Sequence, residues 1–239
     1  MPLEQLLLFV GAGLLLNLTP GPDVLYIVAN ALRGGARVGM VAAVGITTGC
    51  FVHIFAAAVG VSALMAASAT AFSVLKWIGA AYLVYVGCRL LLCSTDSAIE
   101  LEAAHAGAAG AGGVKDYRNI FLGGFWTNAL NPKVALFFLA FLPQFIGPTV
   151  EHKPLTFLLL GMLFNFNGLW VNLGWALAAD RLALRLRTAV RRRADPKAGE
   201  PPWGAGVQHG GLLLWLDRTV GALFIGFGIK LALMQSPNA

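Results

Sequence analysis

The chain reads as long apolar blocks separated by shorter polar stretches. Several blocks exceed the roughly 20 residues that a helix needs to cross a bilayer. Six can be marked, at residues 3–32, 38–66, 71–92, 120–147, 155–179 and 212–234. Between them, residues 94–116 are rich in Ala and Gly, and residues 180–211 hold Arg191, Arg192, Arg193 and a Pro/Gly stretch. Both read as flexible loops. The pattern predicts an all-α integral membrane fold of six transmembrane helices, one domain spanning residues 1–239.

Composition agrees. Charged residues make up 12% of the 239, about half the roughly 25% of a soluble domain, and hydrophobic residues 58%. The mean hydropathy is +0.74. A soluble domain of this length needs a charged face, and too little charge is present to make one. The N-terminus lacks the basic segment and cleavage site of a signal peptide, so a retained first helix is expected. Cys50, Cys88 and Cys93 fall in or at the end of apolar blocks, with neither disulfide nor metal spacing. They read as packing residues, and no metal or cofactor is expected.

The net charge of +6 would raise nucleic acid as a partner for a soluble protein. Here the basic residues sit between apolar blocks, where they act as topology signals, and no nucleic-acid partner is expected. With both termini outside, the inner loops and helix ends carry 13 Lys and Arg residues and the outer ones carry Lys76, Lys153 and Lys230. Lys133 lies within an apolar block. The asymmetry predicts periplasmic termini. The two halves, about 1–93 and 117–239, follow one plan: a long interrupted helix and then two more. Pro22-Asp23 and Pro132-Lys133 correspond at an offset of 110 residues. Three helices per unit invert the second unit, which predicts the 3+3 inverted repeat of many secondary transporters.

Helices 1 and 4 of this plan are broken by proline. Pro20, Gly21 and Pro22 stand inside block 3–32, and Asn131-Pro132 inside block 120–147. Proline lacks an N–H and clashes with the preceding turn, so unwound backbone is expected at both places. Such backbone is tolerated within a membrane only where protein or a water-filled cavity covers it. A charge follows each break. By helical rise, Asp23 lies about 15 Å from the inner end of its block and Lys133 about 20 Å from the inner end of its own. Both depths fall near the middle of a core of about 30 Å. Two unpaired charges there cost roughly 5–7 kcal/mol on insertion scales, too much without a partner or a cavity. Asp23 also suits the N-cap of the half-helix after the break.

Thr47, Thr48 and His53 are polar residues of the second block. Thr47 joins the candidate site, while a lone membrane histidine reads first as hydrogen-bonded structure. Gly45 and Gly49 form a small-xxx-small pair and imply a close helix contact. Gln144 is placed at an exit, and Asn165, Asn167 and Asn172 offer polar lining on the fifth block. No nucleophile–base pair, His-x-x-His or carboxylate cluster stands in the spans, so an enzyme is not expected.

Residues 17–23 (NLTPGPD), followed by 33–39 (RGGARVG), Gly45 and Gly49, resemble the start of the LysE/RhtB family of amino-acid exporters. Residues 82–87 (YLVYVG) with Arg89 look like the end of that family's third segment, and 128–133 (NALNPK) and 141–145 (FLPQF) are similar to its fourth. The last third matches only in pattern, and the Arg-rich loop looks extended. The resemblance implies proton-driven export of homoserine, homoserine lactone, threonine or other small neutral amino acids across a bacterial inner membrane. On that reading Asp23 takes the substrate amine or a proton, and Lys133 with the half-helix N-termini takes the carboxylate. Between turnovers the two charges would pair. A transporter of ions or other small molecules and a passive channel are the rival readings, and the close-packing glycines admit a homodimer.

Overall fold

The computed structural model describes residues 3–63, 69–92, 116–146 and 150–193, with 218, 221, 222, 225, 226 and 229. Every regular element among them is a helix. Helices α1 (Leu3–Leu18) and α2 (Pro22–Gly34) are followed by α3 (Ala36–Ala56), which runs on through a π-helical turn at Ala57–Val61. Next come α4 (Ala69–Leu92), α5 (Tyr117–Ala129) and the short α6 (Pro132–Leu136). A π-helical turn, Phe137–Phe141, and a 3-10 turn, Leu142–Phe145, extend α6, and α7 spans Lys153–Arg193. The Ala/Gly-rich stretch up to residue 115, the Pro/Gly stretch and most of the sixth block lie outside the described residues.

Among the described residues, two helices are long and apolar enough to cross a membrane, or four spans if each bent pair counts as one. α1 and α2 meet at 50°, and α5 meets the helical run from Pro132 to Phe145 at 44°. The position of each break follows from backbone chemistry. A continuous helix needs the N–H of residue i for the carbonyl of i−4. Pro20 cannot serve Leu16, and Pro132 cannot serve Asn128. Each proline-led helix then starts cleanly, because the first helical position needs no N–H.

The fifth block corrects an expectation. Its apolar character ends at 179, yet α7 continues to Arg193, so residues 180–193 are helix rather than flexible loop. They are mostly Arg, Leu and Ala, with no Gly or Pro before Pro196. These residues have high helix propensity, so loss of hydropathy there gives no reason for the helix to stop.

α3 is the central packing element, touching α2, α5 and α7. Its closest neighbour is α5. A Cβ at Gly45 would run into the Phe121 carbonyl and one at Gly49 into that of Phe125, while one at Gly124 would lie 2.6 Å from the Ala42 oxygen. The small-xxx-small pair is therefore the α3–α5 seam. Gly35 joins α2 to α3 with φ of +85°, a conformation that glycine adopts without a Cβ penalty.

Polarity is arranged inside out. Leu130, Val59 and Trp170 are 74%, 71% and 61% exposed, whereas Asn131, Asn128 and Asp23 are 2%, 3% and 9% exposed. A hydrocarbon surround favours that order and water opposes it. One buried cluster gathers Phe9, Phe137, Phe138, Phe141 and Phe164, and a second holds Ile27, Ala42, Ala43, Ile46 and Ala176.

Candidate functional site

The two breaks face each other. Lys133, the second residue of α6, extends its ammonium to α1, where Nζ donates to the carbonyl oxygens of Leu16 and Thr19, each at 3.1 Å. These are two of the acceptors that the first break strips of helical N–H partners: Leu16 through Pro20, and Thr19 because the ladder does not reach Asp23. A cation also suits the negative end of the α1 dipole. Gly21 makes the approach possible, since a Cβ there would lie 3.3 Å from Nζ. Asn131 caps the start of α6, its Oδ1 accepting from the Lys133 backbone N–H at 2.9 Å.

The second break is satisfied from α3. The carbonyl of Asn128, which Pro132 leaves without its helical donor, is 2.9 Å from His53 Nε2. A carbonyl oxygen only accepts, so Nε2 carries the ring proton and donates. The Asn131 backbone N–H also reaches this carbonyl, at 2.9 Å. The His53 ring stacks on Phe138, 6.1 Å between centroids. Asn128 is held at its backbone and acts through its side chain: Nδ2 donates to Asp23 Oδ2 at 2.9 Å. Asp23 Oδ1 is buried and has no hydrogen-bond partner.

A cavity of about 20 Å³ lies at this junction, where the two apolar clusters meet. Its polar wall is Asn17, Asp23, Thr47, Asn128, Lys133, Asn165 and Asn172, with Leu16, Ile46, Cys50, Val134 and Phe164 among its apolar lining. That space holds about one water molecule. An amino acid enters only if the surrounding helices part.

Of the residues the sequence singles out, Asp23, Lys133, Thr47, Asn165 and Asn172 are brought to this one cavity, whereas Asn167 is not among its lining residues. Pro20, Gly21, Pro22, Asn131 and Pro132 shape the breaks beside it without lining it. Gln144 stands on the 3-10 turn, away from the lining. The Thr47 hydroxyl donates to Ala43 O, and its own carbonyl accepts from Asn165 Nδ2 at 3.1 Å. The expected pairing of the two charges takes another form here, with the Lys133 ammonium on α1 carbonyls and the Asp23 carboxylate on Asn128. In the sequence Asn128 stands out only as the first residue of the NALNPK motif, with no role attached. Its place four residues before Pro132 marks its carbonyl as one that needs a donor, but nothing in the sequence links its side chain to Asp23.

Comparison with known proteins agrees with the motifs. The chain is 32% identical to an uncharacterized membrane protein of Pseudomonas aeruginosa over 90% of its length and 88% of the relative's. It is 30% identical to a homoserine/homoserine lactone efflux protein of Salmonella typhimurium, over 77% of this chain and 84% of that one. It is 26% identical to a leucine efflux protein of the same organism, over 95% and 93% of the two chains. No solved structure matches. The family profile described as LysE type translocator matches residues 14–198. With that much of its length matched, the chain belongs to the LysE type translocator family.

Proposed function

We propose that this protein is a secondary transporter of the bacterial inner membrane that exports small neutral amino acids or their derivatives in exchange for protons. The observation that carries the reading is the meeting of Asp23 and Lys133, from two separate helix breaks, at one small polar cavity. The relatives named for homoserine, homoserine lactone and leucine efflux support that substrate class. The reading takes the chain as one domain of six spans in a 3+3 inverted repeat, with periplasmic termini.

In this cycle the inward-facing site binds substrate when its ammonium displaces the proton on Asp23, which leaves to the cytoplasm. The substrate carboxylate draws Lys133 from the Leu16 and Thr19 carbonyls. That transfer loosens the tie between α6 and α1, and the bent pairs swing at their breaks to open the site outward. A periplasmic proton then takes the place of the ammonium on Asp23, and Lys133 returns to α1. A lactone lacks the carboxylate and leans less on Lys133.

The test is efflux from vesicles with a proton gradient intact or collapsed. Wild-type efflux is expected to follow the gradient, and Asp23→Asn and Lys133→Ala to lose coupled efflux. If both variants keep wild-type coupled efflux, the site is wrongly placed. Wild-type efflux indifferent to the gradient would favour a channel. Thermal stabilisation by metal ions and not by amino acids would favour an ion transporter.

A further inference from the structure

Asn128 lines the cavity and is anchored at both its backbone and its side chain. Its backbone carbonyl accepts from His53 Nε2, its Nδ2 donates to Asp23 Oδ2, and the residue is 3% exposed. With Nδ2 engaged, the remaining polar atom is Oδ1, buried and without a hydrogen-bond partner on a residue that lines the cavity. The linked carboxylate has the same character: Asp23 Oδ2 is engaged and Oδ1 is unpartnered. One hydrogen-bonded pair of side chains thus carries two buried, unpartnered acceptor oxygens. Leaving such atoms unpaired is unfavourable by about 1–3 kcal/mol each, so this pair favours a ligand group that donates more than once, while the buried, unpartnered Asn17 Nδ2 on the same lining suits an acceptor group.

We propose that Asn128 is a second contact for the substrate's ammonium group, accepting through Oδ1 while Asp23 accepts through its own Oδ1, and that His53 is the positioning residue that holds Asn128 in place. The inference rests on the proposed transport function and deepens it. A proton needs the carboxylate alone, whereas a primary ammonium has three N–H groups and uses both acceptors. Asn128 therefore helps the site to select a primary amine. His53 acts through Asn128: it replaces the donor that Pro132 removed and so fixes the end of α5 that carries the amide.

The experiment uses the full chain in proteoliposomes, with L-leucine, L-homoserine and L-threonine as probes, each beside its N,N-dimethyl derivative. The dimethyl compound stays cationic but keeps one N–H. Wild type is expected to prefer the primary amine. In Asn128→Ala the KM for the primary amine is expected to rise about tenfold, the size of one lost hydrogen bond to a charged group. Its preference over the dimethyl compound is expected to fall by a similar factor. His53→Leu is expected to move both readouts the same way, and His53→Gln, which keeps an N–H donor, to restore them. Should Asn128→Ala fail to reach the membrane, the His53 pair carries the test. Unchanged KM and unchanged amine preference in Asn128→Ala, or in His53→Leu where that variant stands alone, overturn the inference while leaving the transport function intact. A wild type that carries none of the probes overturns both.

Discussion

Lys133 Nζ lies 3.1 Å from the carbonyl oxygen of Thr19, so the charge that follows one helix break satisfies the backbone exposed by the other. The same ammonium holds Leu16 O, and His53 holds Asn128 O. At both breaks, a carbonyl freed by proline is taken by a nitrogenous side chain from a helix distant in sequence. Unwound backbone is therefore affordable inside an apolar surround, and the breaks are joined to the groups that line the cavity.

Removing Lys133 should cost stability as well as transport. Lys133→Met keeps much of the side-chain volume but leaves the Leu16 and Thr19 carbonyls unpaired, each unfavourable by about 1–3 kcal/mol. The melting temperature in detergent is expected to fall clearly below wild type, while Asp23→Asn, which keeps the shape and an acceptor for Asn128, is expected to melt close to it. Equal melting of wild type and Lys133→Met would show that these carbonyls find other donors.

Gly21 should tolerate no side chain without a functional effect. Its φ of −168° is extended backbone open to any residue, so the constraint is space alone. A Cβ would meet Lys133 Nζ at 3.3 Å. Gly21→Ala is expected to slow efflux several-fold and Gly21→Val to abolish it, with membrane levels near wild type. Initial efflux rates normalised to protein amount decide it.

The α3–α5 seam should be the most size-sensitive contact. Gly45→Ala and Gly49→Ala direct a methyl group at backbone carbonyls of α5, which have little freedom to move. Overpacking of this kind costs about 1–3 kcal/mol. Gly174→Ala on α7 meets nothing within 4 Å and is expected to be neutral or slightly stabilising. Thermal melting of the purified variants separates the two groups.

With the proposed periplasmic termini, the C-terminal part of α7 is expected on the cytoplasmic side. A single cysteine introduced at Arg193, in a background where Cys50, Cys88 and Cys93 are replaced by alanine, is expected to resist a membrane-impermeant thiol reagent in whole cells and to react in inverted vesicles. Labelling from outside would reverse the orientation and, with it, the direction of the proposed cycle.

Much of this molecule is legible in its sequence. Membrane character follows from how few charges the chain has to place against water. The positions where helices α1 and α5 stop follow from prolines that cannot donate. The closeness of Gly45 and Gly49 to a neighbouring helix follows from their spacing, although not the identity of that neighbour. The end of α7 lies beyond its apolar block because hydropathy reports where lipid ends, whereas helix continuation depends on propensity, and the Arg-, Leu- and Ala-rich stretch to Arg193 has no reason to stop.

That Asp23 and Lys133 each follow a proline in an apolar block is readable from the residues alone, because local rules of backbone hydrogen bonding and bilayer length need no knowledge of the partner. What those charges touch depends on how the helices pack. Lys133 reaches α1 carbonyls rather than Asp23, Asp23 leans on Asn128, and His53 secures Asn128 from α3. The physical reason is that a freed carbonyl announces the need for a donor but not its source. The donor comes from whichever helix packing brings within hydrogen-bond reach, here one 75 or more residues away along the chain.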